Sequence, residues 1–157
     1  MAAVWRLTPP TYARLLDGEG SRIAGGRWNS PGLPLIYTST HLSLSVLEVF
    51  VHFPPELRDS LPDLEAVRIA VPEGASMSEV SIGQFEDLMA SPDPLSACRA
   101  FGDEWIARGS HFVLKAPSVV IPEELNVMLN PAHAQMREVR IESSRQFHFD
   151  PRLTRSV

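Results

Sequence analysis

The sequence predicts an α+β domain, on three observations. Short strand-like and helix-like segments alternate irregularly, no internal repeat or low-complexity tract is present, and 157 residues at 44% hydrophobic content suffice for one full core. A doubly wound parallel sheet would need a regular strand-helix alternation that this chain lacks. One domain spanning 1–157 is expected.

Ala3 to Leu7 reads as an opening strand, and Thr8 begins a helix running through Leu16 with Pro9 and Pro10 in its first turn. Asp17 to Gly32 then breaks all regularity. It holds five glycines, yet it also carries Arg22, Arg27 and Trp28, which a passive linker does not need, so it reads as a binding loop. Pro34 to Thr38 reads as a buried strand, followed by Ser39 or Thr40 as the cap of a helix between His41 and His52. Leu64 to Val71 is a further strand, and the turn-rich stretch from Pro72 to Pro92 contains a short helix around Ile82 to Met89. Asp93 caps the next helix, Pro94 takes its first position and Gly109 ends it, with Leu95, Cys98, Phe101, Trp105 and Ile106 as the apolar face. His111 to Pro122 reads as two short strands interrupted at Pro117. A short helix from Ala132 and a closing segment with Val139 to Ile141 and Phe147 to Phe149 complete the chain.

Composition excludes several function classes. One cysteine, Cys98, forbids an internal disulfide, and no opening apolar run or span-length stretch points to a leader or a membrane, so a cytoplasmic protein is expected. The formal charge is −5, and thirteen arginines with the single Lys115 are scattered along the chain, leaving no basic patch for nucleic acid. The five histidines lack the spacing of a zinc framework, so no metal is expected. No serine elbow and no phosphate-binding glycine loop is present.

Glu48 is the most informative residue. It is the only charge in LSLSVLEVFV, on a narrow polar ribbon with His41, Ser45 and His52. A carboxylate in such surroundings is either buried in a cleft with a partner or simply on a surface face, and the first reading makes it a functional residue. Arg27 follows Gly25-Gly26 and offers a bidentate fork to a phosphate, or else pins its loop through an acid. Tyr37 ends a buried strand, where it serves the core or stacks on a flat heterocycle, while Ser39 opens a helix N-terminus that favours a phosphate. Trp28 can line a pocket, whereas Trp5 and Trp105 belong to the core. Ser118 at a strand break and Asn126 before an apolar run are either turn residues or cleft-facing donors.

Taken together, W-R at 5 and 6, G-G-R-W-N-S-P-G at 25 to 32, I-Y-T-S at 36 to 39, L-E at 47 and 48, P-S-V-V at 117 to 120, N-V-M-L-N-P at 126 to 131 and F-D-P-R-L at 149 to 153 resemble the RES domain. The namesake Arg, Glu and Ser match Arg27, Glu48 and Ser118, and only the stretch from about Pro54 to Pro92 carries no signature. The resemblance implies the toxin of a RES–Xre toxin–antitoxin pair, with a small mixed or antiparallel β core flanked by helices like that of ADP-ribosyltransferase toxins. It implies NAD+ as substrate, a cognate Xre-type antitoxin blocking the pocket, and an NAD+ site made by Arg27, Tyr37, Glu48, Ser118 and Asn126.

The chemistry of the residues agrees with that implication. Breaking the nicotinamide–ribose bond develops positive charge on the ribose, which a carboxylate at Glu48 would stabilise, and nicotinamide leaves neutral without a general acid. Hydrolysis or phosphorolysis of NAD+ is the leading expectation, and transfer of ADP-ribose to a protein is the alternative. A ribonuclease built on His41, Glu48, Arg27 and Tyr37, or a non-enzymatic binding module with an Arg27–Glu48 ion pair, is the further alternative.

Overall fold

The structure, a computed structural model, describes residues 3–154, so the ends of the expected 1–157 domain lie outside the described residues. In chain order it contains β1 (Ala3–Thr8), α1 (Glu19–Ala24), β2 (Ile36–Ser39), α2 (Leu42–His52), β3 (Leu64–Ala70), β4 (Met77–Glu79), α3 (Ile82–Met89), α4 (Pro94–Arg108), β5 (Val113–Pro117), β6 (Leu125–Leu129) and β7 (Arg140–Phe147). The strands form one sheet in the order β4-β5-β6-β2-β1-β3-β7, in which the β4–β5 pairing alone is parallel. The expected α+β class and mixed β core are both present.

Period-two alternation sends adjacent residues to opposite faces of this sheet. Val113, Val127, Leu129, Ile36, Val67 and Ile69 fill one face. On the other, Leu114, Met128 and Tyr37 pack with Trp28, Cys98 and Trp105 under α3 and α4, while Leu7, Leu64 and Ala66 lie under Leu42, Val46 and Val49 of α2. The pairings Tyr37↔Met128, Trp5↔Ser39 and Leu7↔Ala66 place both groups on the same face. Between them, β1 and β2 share only the Trp5↔Ser39 pair, whereas β1 follows β3 from Ala3↔Ala70 to Thr8↔Glu65. The sheet parts at that weak join, and a cleft opens between its two helical covers.

Local signals explain the helices. Ser81 and Gln84 form a capping box before α3, and Asp93 accepts from the Ser96 amide at the start of α4 with Pro94 behind it. Gly109, at φ 59°, ends α4 in the left-handed conformation.

Other expectations are corrected. The segment from Thr8 to Leu16 forms only a 3-10 turn at Pro10–Tyr12: β1 continues through Thr8, and the Arg6 guanidinium takes the carbonyls of Tyr12 and Leu15. The loop from Asp17 to Gly32 contains α1, bracketed by Gly18 at φ 70° and Gly25 at φ 71°. Neither Ser39 nor Thr40 caps α2. His41 stands at its N-cap without a side-chain bond, since β2 continues to Ser39, whose hydroxyl goes to Asn126. Of the two strands expected in His111 to Pro122, only β5 forms, and the second partner strand is β6. The stretch after Ser118 is instead a turn, its hydroxyl accepting from the Val120 and Ile121 amides. The helix from Ala132 is a 3-10 turn at Ala134–Glu138, the closing segments join in the single strand β7, and β4 emerges from the turn-rich stretch. Trp5 is half-buried and Leu95 exposed, in contrast to the core positions expected for both.

Candidate active site

The cleft encloses about 750 Å³, the size of a cofactor or drug-like ligand site. Its walls come from β1 (Arg6, Leu7), the loop after α1 (Gly25 to Trp28), β2 (Tyr37 to Ser39), α2 (Ser45, Glu48, His52), α4 (Leu95, Arg99) and Asn126 of β6.

Glu48 is half-buried on this wall rather than fully enclosed. Ser118 Oγ and Asn126 Nδ2 both donate to its Oε1, each at 2.6 Å. Oε2 has no hydrogen-bond partner among the described residues, yet it is not sealed from solvent. Two neutral donors therefore fix the carboxylate's orientation while one oxygen remains available to a ligand. Asn126 is itself oriented by Ser39 Oγ, which donates to Asn126 Oδ1 at 3.0 Å. Ser45, also on the ribbon of α2, donates to the Trp5 carbonyl at 3.0 Å and ties the helix to β1. His41 lies off the cleft, exposed and 3.7 Å from Glu124.

The expected ligand-facing roles of Ser118 and Ser39 change accordingly. Ser118 is fully buried and does not line the cleft, and its hydroxyl is committed to Glu48 and two backbone amides. Ser39 borders the cleft, but its hydroxyl is turned to Asn126. Both hydroxyls are spent on the orientation of Glu48 and Asn126.

Tyr37 is likewise engaged within the protein. Its hydroxyl accepts from the Trp28 amide at 2.9 Å and donates to Asn29 Oδ1 at 2.7 Å. Burial pushes the phenol well above its ordinary pKa, against the opposing pull of the Trp28 amide and the nearby arginines. Gly26 serves this clamp, since a Cβ there would sit 2.4 Å from the Tyr37 hydroxyl. Tyr37 and Trp28 both border the cleft, Trp28 from an otherwise buried position in which its ring meets Phe101 edge-on at 5.9 Å.

Arg27 projects from this clamped loop and has no carboxylate partner among the described residues. Its Nη1 lies 4.0 Å from Met89 Sδ, and its guanidinium also reaches the buried Cys98 thiol. The ion pair with Glu48 that a binding module would use is not among the ion pairs of the described residues.

Two further arginines stand outside the expected site residues. Arg6 is held by backbone carbonyls, and burial lowers its pKa despite Asp17 nearby. Arg99 donates from Nε to the Gly26 carbonyl at 2.9 Å. Residue type alone gives Arg99 no signal, because only the packing of α4 on the Trp28 loop brings it to the cleft. Arg27 and Arg99 line the cleft with the one carboxylate of Glu48, a balance suited to an anionic ligand, whereas the Arg6 guanidinium is committed to the Tyr12 and Leu15 carbonyls. Among the described residues no group of three metal-ligating side chains occurs, and no helix is long and apolar enough to cross a membrane.

The chain is similar to known proteins along most of its length. A Prs ADP-ribosylating toxin of Sphingobium sp. (strain YBL2) is 32% identical, with 98% of this chain and 97% of that one covered. The Toxin Res of Yersinia enterocolitica is also 32% identical, over 96% of this chain and 98% of that one. The Toxin Res of Photorhabdus laumondii is 33% identical over 82% and 81% of the two chains. The crystal structure of the M. tuberculosis MbcT-MbcA toxin-antitoxin complex contains the same fold, with a TM-score of 0.72 at 19% identity over 97% of this chain and 86% of that one. With the RES domain model matched over residues 3–150, this chain belongs to the RES domain family.

Proposed function

We propose that this chain is the toxin of a toxin–antitoxin pair, an enzyme that cleaves the nicotinamide–ribose bond of NAD+ and so arrests growth. One observation carries the reading: Glu48 Oε1 is pinned by Ser118 and Asn126, and Oε2 is left unpartnered on a cleft rich in arginine. As the bond to nicotinamide lengthens, the ribose gains positive charge. A preoriented carboxylate hydrogen-bonded to a ribose hydroxyl stabilises that charge more than it stabilises the ground state. Nicotinamide departs as a neutral base, so a single carboxylate suffices.

Arg27 holds the pyrophosphate in this reading, since it has no competing carboxylate. The ring of Tyr37 borders the nicotinamide position, and its hydroxyl keeps the loop that carries Arg27 in place. Asn126 orients Glu48 and reaches the ligand from the same wall. The acceptor is water or phosphate. A protein acceptor is the second reading, favoured by the relative named as an ADP-ribosylating toxin. An Xre-type antitoxin covering the cleft is the proposed partner, consistent with the toxin–antitoxin complex that shares the fold. Action on NAD+ fits a cytoplasmic site.

Cell lysate supplied with NAD+ labelled in its adenylate part separates the two readings. Hydrolysis or phosphorolysis leaves the label in small molecules, while protein transfer leaves it on a band that disappears with Glu48→Gln.

A further inference from the structure

His52 has no part in the reading above, yet it lies on the cleft wall one helical turn after Glu48, exposed at the end of α2. Its Nδ1 stands 2.5 Å from the backbone carbonyl oxygen of Glu48. A carbonyl can only accept, so Nδ1 carries the hydrogen, and the lone pair of the neutral ring is therefore on Nε2. Nε2 has no hydrogen-bond partner among the described residues. The residue that supplies the carboxylate thus also fixes, through its own backbone, the tautomer of the imidazole beside it.

We propose that His52 Nε2 is the general base for the acceptor. This inference rests on the NAD+ reading and adds the step that reading leaves open. Glu48 Oε1 accepts from Ser118 and Asn126, and Oε2 is assigned to the ribose, where its negative charge is needed as the bond breaks, so the acceptor's proton is assigned to a separate group. An oxygen acceptor, whether water or a hydroxyl group, bonds to ribose C1′ as the bond from C1′ to nicotinamide nitrogen breaks. Nicotinamide leaves with that electron pair as a neutral base, and the acceptor's proton passes to His52 Nε2 and then to solvent. An anionic nucleophile, whether phosphate attacking through a charged oxygen or azide, gives up no proton in the step and needs no base, so the role of His52 is for water or a hydroxyl acceptor.

The test is the purified protein with NAD+, with and without azide, products being identified by mass spectrometry. His52→Asn replaces Nδ1 with an amide donor able to reach the Glu48 carbonyl and removes the basic nitrogen. Formation or transfer of ADP-ribose should fall about 100-fold in this variant, and azide should restore nicotinamide release with azido-ADP-ribose as product. In His52→Ala, added imidazole should recover part of the lost rate. Undiminished ADP-ribose formation by His52→Asn would overturn the assignment. So would a loss that azide does not restore, since that would tie His52 to bond breaking or to the fold. If the unmodified protein releases no nicotinamide with water, azide or lysate protein, the NAD+ reading itself fails and this inference with it.

Discussion

Ser118 lies buried 70 residues from Glu48 in the chain and donates its hydroxyl to Glu48 Oε1 at 2.6 Å. Ser118 Oγ also accepts from the amides of Val120 and Ile121 at 3.0 and 3.1 Å, so one side chain both follows the end of β5 and aims the carboxylate of α2. Ser118→Ala leaves two amides and a carboxylate oxygen short of a partner. A loss of about 1–3 kcal/mol in unfolding free energy is expected, with a fall in kcat larger than the change in KM. Urea denaturation beside nicotinamide-release kinetics checks this, and unchanged kcat would mean that Asn126 alone orients Glu48.

Tyr37→Phe removes a hydroxyl that joins the Trp28 amide to Asn29. The variant should lose about 1–3 kcal/mol of stability while keeping its ring against the cleft. Its NAD+ affinity should weaken through a loosened Arg27 loop. Thermal melts with binding isotherms test the two effects, and a variant that is fully stable but inactive would instead assign the hydroxyl to the transition state.

The same phenol predicts an alkaline signature. Its folded pKa is raised by burial above the ordinary value of about 10, so the folded state holds the proton more tightly than the unfolded chain. The contribution to stability is therefore complete below about pH 10 and declines as pH rises beyond it. Denaturation midpoints measured across that range should fall faster in the unmodified protein than in Tyr37→Phe.

Gly102 offers a test of how α4 meets the site. A Cβ there would come 1.8 Å from the Trp28 carbonyl, whereas one at Gly83 on α3 meets nothing within 4 Å. Gly102→Ala should cost about 3 kcal/mol or more and disturb the Arg27 loop, while Gly83→Ala should be neutral or stabilising by about 0.5–1 kcal/mol. Circular dichroism melts distinguish them.

Arg27→Ala should leave the fold intact, because the guanidinium has no ion-pair partner among the described residues and its polar contacts are to the soft sulfurs of Met89, at 4.0 Å, and Cys98. NAD+ binding measured by calorimetry should weaken at least tenfold, the equivalent of about 1.4 kcal/mol. An unfolded variant would make Arg27 a structural residue.

What the sequence revealed was local. The helix opening at Pro94 is legible because Asp93, Pro94 and Gly109 act within four residues of themselves, and the helix Ile82–Met89 has an equally local capping box at Ser81 and Gln84 that the structure reveals. Glu48 stood out because its apolar helical context is also local. The network around it was hidden, since Ser118, Asn126 and Glu48 meet only when β5, β6 and α2 converge. For the same reason β6 went unread, its strand character depending on β2 and β5 to either side. The resemblance named Ser118 and Asn126 as site residues, but geometry gives Ser118 the task of holding Glu48 instead of ligand. Thr8 to Leu16 differs from its helical pattern because β1 runs on through Thr8 and Arg6 captures the Tyr12 and Leu15 carbonyls from outside the apolar pattern.

The most direct test of the central claim is nicotinamide release from NAD+ by the purified protein beside Glu48→Gln, with an aliquot of each given labelled NAD+ in lysate. The amide of the substituted side chain keeps an oxygen for Ser118 and Asn126, so the variant should fold as the parent does. Cleavage of NAD+ by the parent, lost by at least about 100-fold in the variant at unchanged melting temperature, is the predicted result. Equal rates in both proteins, or intact NAD+ with the parent in buffer and in lysate alike, would contradict it.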